Sequence, residues 1–204
     1  MKALLLVDLQ YDFFPGGALE VKDGDKILPA VNKLLKMDWE VITASKDWHP
    51  PNHESFASMH EGRGVGDKID LDGIEQILWP DHCVENTKGA EFYPGWDVDK
   101  VDKVFYKGVD PKIDSYSTFF DNGHLRSTGL GEYLKERNIT EVCIAGLATD
   151  YCVKFSVFDA LKLGFKTTVV MEGVKGVDLK PGDSDKALRE MQERGAFLVS
   201  VDDL

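Results

Sequence analysis

The chain has 204 residues, of which 43% are hydrophobic and 29% charged, and it carries a net charge of −12. That is enough apolar chain for one domain with a buried core, and it excludes a disordered polyelectrolyte. So acidic a chain also excludes a nucleic-acid or anionic-membrane binder, either of which needs a basic face.

Three widely spaced cysteines, an odd number, argue against a disulfide framework and point to a reducing cytoplasm. The opening stretch has one basic residue and an apolar run broken at Asp8. It is too short for a signal peptide or a membrane span.

Ala3 to Val7 is continuously apolar, as expected of a strand buried on both faces of a parallel sheet. A loop with Pro15-Gly16-Gly17 follows, then a helical face at Ile27, Leu28, Val31, Leu34 and Leu35. Glu40 to Ala44 is the second strand, running out into Ser45-Lys46-Asp47-Trp48-His49. Periodicity then fails over about residues 46–97, a region with four of the five histidines and several aromatics. A loop of that length inside a compact chain is functional or disordered, and its aromatics favour function. A short helix is expected at Asp72 to Leu78.

Regular structure resumes with a strand at Lys103 to Tyr106, ending in Lys107-Gly108. After a loop from Val109 to Gly123, a helix is expected at Leu130 to Asn138 and a strand at Glu141 to Ala145. The turn Gly146-Leu147-Ala148-Thr149-Asp150-Tyr151-Cys152 leads into a helix from Val153 to Leu163. A fifth strand is expected at Phe165 to Val170, and a helix capped by Ser184 runs to Arg194. An edge strand at Ala196 to Val199 closes the chain. The alternation predicts a doubly wound, mainly parallel six-stranded α/β sheet with helices on both faces, a Rossmann-like three-layer architecture in one domain spanning 1–204. No Gly-x-Gly-x-x-Gly or Walker lysine motif follows the first strand, so nucleotide binding is not indicated.

In such sheets the site lies at the carboxyl ends of the strands. Those ends carry Asp8, Asp47 with His49, Lys107 and Cys152. A cysteine at a strand-to-helix turn sits beside unpaired N–H groups, which favour thiolate and can hold an oxyanion. Asp8 can act as a general base, with Lys107 as the cation that stabilises carboxylate and thiolate. Asp47, His49 and His82 form a donor set for zinc, iron or manganese. Phe13, Trp79 and Tyr116 can form a flat slot for a planar ring. His60 and His124 are expected at the surface, and Cys83 in packing.

Val7-Asp8-Leu9-Gln10, Asp47-Trp48-His49-Pro50, Trp79-Pro80-Asp81-His82-Cys83-Val84, Tyr106-Lys107-Gly108, Asp114-Ser115-Tyr116-Ser117 and Gly146 to Val153 stand in this order. Together they resemble the nicotinamidase/pyrazinamidase branch of the cysteine hydrolase (isochorismatase-like) superfamily, over nearly the whole chain. The resemblance implies hydrolysis of nicotinamide to nicotinate and ammonia, a step in NAD salvage, and turnover of pyrazinamide. It makes Cys152 the nucleophile, Asp8 the acid/base, and Lys107 the third member of the triad. It makes Asp47, His49 and His82 the ligands of one divalent metal ion, zinc first, that meets the substrate's ring nitrogen. It also implies an oxyanion hole from the N–H groups of Ala148 and Cys152, and a cis peptide at Leu147–Ala148. Phe13, Trp79 and Tyr116 fall where the family packs the ring. His53 matches a fourth-ligand position loosely, and Tyr151 stands where some members have histidine. The resemblance leaves a homo-oligomer open. Two other readings compete: an N-carbamoyl or ureido amidohydrolase, and a thiol redox or metal-binding protein without turnover.

Overall fold

Ala3 to Val7 is apolar at every position because both of its faces are covered. In the computed structural model, which describes residues 1–204, these residues lie in strand β1 (Lys2–Val7) and are fully buried. Ala3, Leu5 and Val7 point into one apolar cluster, and Leu4 and Leu6 into another on the opposite face. The remaining strands are β2 (Val41–Asp47), β3 (Lys68–Leu71), β4 (Ile74–Ile77), β5 (Lys103–Lys107), β6 (Glu141–Leu147), β7 (Lys166–Lys175) and β8 (Phe197–Val199). Six of them form one sheet in the order β5-β2-β1-β6-β7-β8, with every neighbouring pair parallel.

Helix α1 (Leu28–Leu34) contributes Ala30, Val31 and Leu34 to the cluster under Leu4 and Leu6. Helices α2 (Leu130–Glu136), α3 (Lys154–Lys162) and α4 (Asp183–Glu193) fill the other with Leu134, Val157 and Met191. The expected doubly wound sheet is therefore present. Its winding reverses between β1 and β6, and at such a switch point the strand ends open into a crevice. Gly146, in β6 at that point, has φ +131°, and a Cβ there would lie 2.1 Å from the Val7 carbonyl oxygen. Only glycine lets the two strands run this close.

Three local expectations are corrected. The segment at Asp72 to Leu78 is not a helix: β3 and β4 form an antiparallel hairpin. Asp72 (φ 51°) and Gly73 (φ 87°) make its two-residue turn, and Asp70 Oδ1 accepts the Gly73 N–H at 2.9 Å. Asp-Gly is a strong hairpin signal, and it outweighs the weak helical spacing around it. Ser184 does not cap α4, because Gly182 occupies the N-cap and the Ser184 hydroxyl donates to Asp178 Oδ2 instead. The fifth sheet strand, β7, runs on to Lys175 past a register shift in its pairing with β6 between Ile144 and Gly146. The irregularity hides the continuation from a reading based on alternation.

Between β2 and β5 the chain is mostly irregular but anchored. Isolated bridges pair Gln10 with Phe92, His49 with Val84 and Phe56 with Trp79. No helix is long and apolar enough to cross a membrane.

Candidate active site

Register brings the site together. Asp47 pairs directly with Lys107 at the ends of β2 and β5, and Val7 pairs with Gly146 just before Asp8 and the turn that leads to Cys152. The helix expected from Val153 begins as a wide π turn, Thr149–Val153, with Cys152 inside it. The Leu147–Ala148 peptide is cis, as the resemblance implied.

Lys107 is buried among four partners. Its Nζ lies 2.9 Å from Asp8 Oδ2, 3.0 Å from Asp47 Oδ1, 2.9 Å from the Ser115 carbonyl and 3.4 Å from Cys152 Sγ. The Asp8 contact is an ion pair rather than an aligned hydrogen bond, so Oδ2 keeps no donor of its own. Burial alone would discharge Lys107, yet the Asp47 and Asp8 carboxylates hold its pKa well above the ordinary lysine value. Burial raises the Asp8 pKa, and Asp47 adds to that against the pull of Lys107.

Cys152 departs from expectation. Burial pushes its thiol well above the usual range, Lys107 opposes this, and the two nearby carboxylates reinforce it. Burial therefore favours the thiol over the thiolate, so the sulfur would need a neighbouring base to take its proton before attacking.

Asp47, His49 and His82 offer ligand atoms that all lie within 4.8 Å of one another. His49 Nδ1 lies 2.9 Å from the Gly108 carbonyl and His82 Nδ1 2.7 Å from the Pro80 carbonyl. A carbonyl only accepts, so both Nδ1 atoms carry a proton, and in the neutral imidazoles both Nε2 atoms present lone pairs. Those lone pairs face Asp47 Oδ2 at 2.9 and 3.2 Å. Three acceptors turned on one another call for a cation, and two imidazoles with a carboxylate suit a divalent transition metal.

His53 is presented differently. Its Nδ1 accepts the Ser55 N–H at 3.1 Å, which leaves the ring proton on Nε2. It therefore offers the cluster a buried N–H with no hydrogen-bond partner, not a lone pair.

Phe13, Trp79 and Tyr116, expected around a planar ring, line a narrow cleft with Asp47, His82 and Cys152. The Trp79 indole N–H donates to Tyr116 Oη at 3.1 Å, which fixes that wall. Ala148 also lines the cleft, next to the cis bond. Cys83 packs in the apolar cluster, while His60 and His124 bind the Glu54 carbonyl and Asp159, away from the cleft.

Other residues of the site were given no role from sequence, Tyr151 having been noted only where some members have histidine. The Gln10 side chain accepts the Asp47 N–H at 2.7 Å and donates to the Asp47 and Ala90 carbonyls at 2.7 and 3.1 Å. Asp150 accepts the N–H groups of Val177 and Asp178 at 2.9 and 2.8 Å, holding Val177 over the cleft. Tyr151 stacks edge-on against Trp79. Gln10 sits two residues after Asp8, and that proximity was the one signal available for it.

Comparison with known proteins agrees with this geometry. A family model described as the isochorismatase domain matches residues 2–203. A nicotinamidase of Escherichia coli is 48% identical over 99% of this chain and 96% of its own length. Among solved structures, an Acinetobacter nicotinamidase/pyrazinamidase superposes with a TM-score of 0.95 at 42% identity, covering 99% of this chain and 97% of that one. A pyrazinamidase of Pyrococcus horikoshii in complex with zinc gives a TM-score of 0.79 at 39% identity, over 98% of each chain.

Proposed function

The chain belongs to the isochorismatase family, and from that premise we propose that it is a nicotinamidase, hydrolysing nicotinamide to nicotinate and ammonia. The observation that carries the reading is the buried contact of Cys152, Asp8 and Lys107 at the floor of an aromatic cleft. A thiol, a base and a cation suit acyl transfer, and the cleft suits a flat heteroaromatic amide.

Phe13, Trp79 and Tyr116 bind the ring and exclude water. Asp8 takes the proton of Cys152 as the sulfur attacks the carboxamide carbon. The N–H groups of Ala148 and Cys152 hold the developing oxyanion. The C–N bond breaks as Asp8 returns the proton to the leaving nitrogen, which departs as ammonia. Asp8 then deprotonates a water that cleaves the thioester, releasing nicotinate and restoring the thiol. Lys107 balances the charge of Asp8 and of the sulfur throughout.

Asp47, His49 and His82 would hold one divalent ion, zinc by donor set and by likeness to the zinc-bound relative, whose chemistry there is that of a Lewis acid for a ring nitrogen. Pyrazinamide, with the same carboxamide on a diazine ring, is a second substrate.

The test is ammonia release from nicotinamide, pyrazinamide and an N-carbamoyl amine by the purified protein. Release from the two ring amides is expected. Release from the N-carbamoyl compound alone would overturn the assignment in favour of a ureido amidohydrolase.

A further inference from the structure

Asp8 is held from a direction that the triad does not explain. The Ser45 hydroxyl donates to Asp8 Oδ1 at 2.6 Å, and Ser45 Oγ accepts the Asp8 N–H at 3.2 Å. Thr118 Oγ1 lies 3.2 Å from Ser45 Oγ, and Ser156 Oγ lies 3.0 Å from Thr118 Oγ1. The Thr118 N–H donates to Ser156 Oγ at 2.8 Å. All four residues are completely buried, so no solvent competes for these bonds.

The direction of each bond follows from proton count. An ionised carboxylate only accepts, so the single Ser45 proton goes to Asp8. Ser45 Oγ must then receive the proton of Thr118, and Thr118 Oγ1 that of Ser156. The row is one-way and ends on Oδ1, which is thereby occupied. Oδ2, facing Lys107 and without a hydrogen-bond donor, is the oxygen left to exchange a proton. Ser156 also lies four residues after Cys152 on the helical segment the nucleophile opens, so the row ties the base to the nucleophile's own element.

Resting on the nicotinamidase reading, we propose that Ser45, Thr118 and Ser156 are positioning residues forming a one-way hydroxyl relay. The relay fixes the Asp8 carboxylate so that Oδ2 alone carries the proton between the Cys152 sulfur and the leaving nitrogen. Bonds in such a row polarise one another, so removing the far members weakens the grip on Asp8 without touching it.

The experiment measures kcat and KM for nicotinamide in native protein, Thr118→Val, Thr118→Ser and Ser156→Ala, with thermal melting as a check of folding. Thr118→Val keeps the volume and removes the hydroxyl. Its kcat is expected to fall about tenfold with KM within about twofold, and Thr118→Ser to recover most of the loss. Ser156→Ala gives a smaller fall in kcat of the same kind, and decides the matter if Thr118→Val does not fold. An unchanged kcat in a folded Thr118→Val or Ser156→Ala overturns the relay, as does a loss borne by KM or one that Thr118→Ser does not repair. If native protein releases no ammonia from nicotinamide, the functional reading falls first and takes the relay with it. If only the variants behave otherwise than expected, the relay alone falls.

Discussion

Lys107 stands between two buried acidic centres that solve the same problem in different ways. On one side, the Asp8 carboxylate accepts the Ser45 hydroxyl proton, its own N–H donates back to Ser45 Oγ, and the Lys107 ammonium balances its charge. On the other, Asp47 shares Lys107 but meets two histidine nitrogens whose protons are fixed elsewhere, on the Gly108 and Pro80 carbonyls. The first centre is charge-balanced by the protein itself, with Asp8 Oδ2 taking no hydrogen bond. The second is an arrangement of lone pairs that a cation completes. The proposed proton-transfer centre and the proposed ion site thus sit side by side, sharing only Lys107.

Removing the shared ammonium breaks both centres and should have the largest effect. Lys107→Met leaves two uncompensated buried carboxylates, so stability should drop by roughly 3–5 kcal/mol in urea unfolding, and ammonia release should be lost. A stable, active Lys107→Met would show that the two centres are independent of it. Asp47→Asn tests the second centre alone. Bound metal, measured by elemental analysis, should fall about 10²-fold in affinity. Chelation should lower the melting temperature of native protein while leaving this variant unmoved.

Gln10→Leu should act at one remove, because it strips partners from the Asp47 N–H and from two carbonyls. A loss of about 2–3 kcal/mol and weaker metal retention are expected. Retention equal to native would show that the ligand strand needs no such clamp.

Cys143, on β6 and outside both centres, sets the background pH response. Burial pushes its thiol up to about 12 from an ordinary value of 9.0. Above about pH 9 the unfolded chain loses this proton while the folded one keeps it. Stability should therefore fall as pH rises towards 12, by about 1.4 kcal/mol per pH unit for each such thiol. Cys143→Ala should flatten its share of that slope in melts across pH 8–11, and an unchanged slope would assign the effect to other groups. The smallest effect should come from Gly73→Ala in the outlying hairpin. Its φ of 87° disfavours alanine by about 1 kcal/mol, and activity should not change.

The same division marks how far the sequence could be read. Asp8, Asp47, Lys107 and Cys152 were legible because apolar runs locate strand ends, and parallel sheets gather those ends. The hairpin was misassigned because Ile74 and Ile77 have helical spacing, while the Asp72-Gly73 turn that decides the matter is only two residues long. Thr118 and Ser156 were invisible, and the role of Gln10 was too, for another reason. Neutral polar side chains carry no periodicity, and their partners lie 37 to 80 residues away in the chain. The balance at the thiol was only half legible: a helix start favours thiolate, whereas the burial that opposes it is a property of the fold.

The account rests on attack by the Cys152 sulfur on a ring carboxamide. The most direct measurement is ammonia release from nicotinamide by native protein and by Cys152→Ala, with melting temperature and metal content compared. Native protein should release ammonia, and the folded, metal-bearing variant should fall by about 10³-fold or more. Comparable release from the variant would contradict the assignment of Cys152 as the nucleophile.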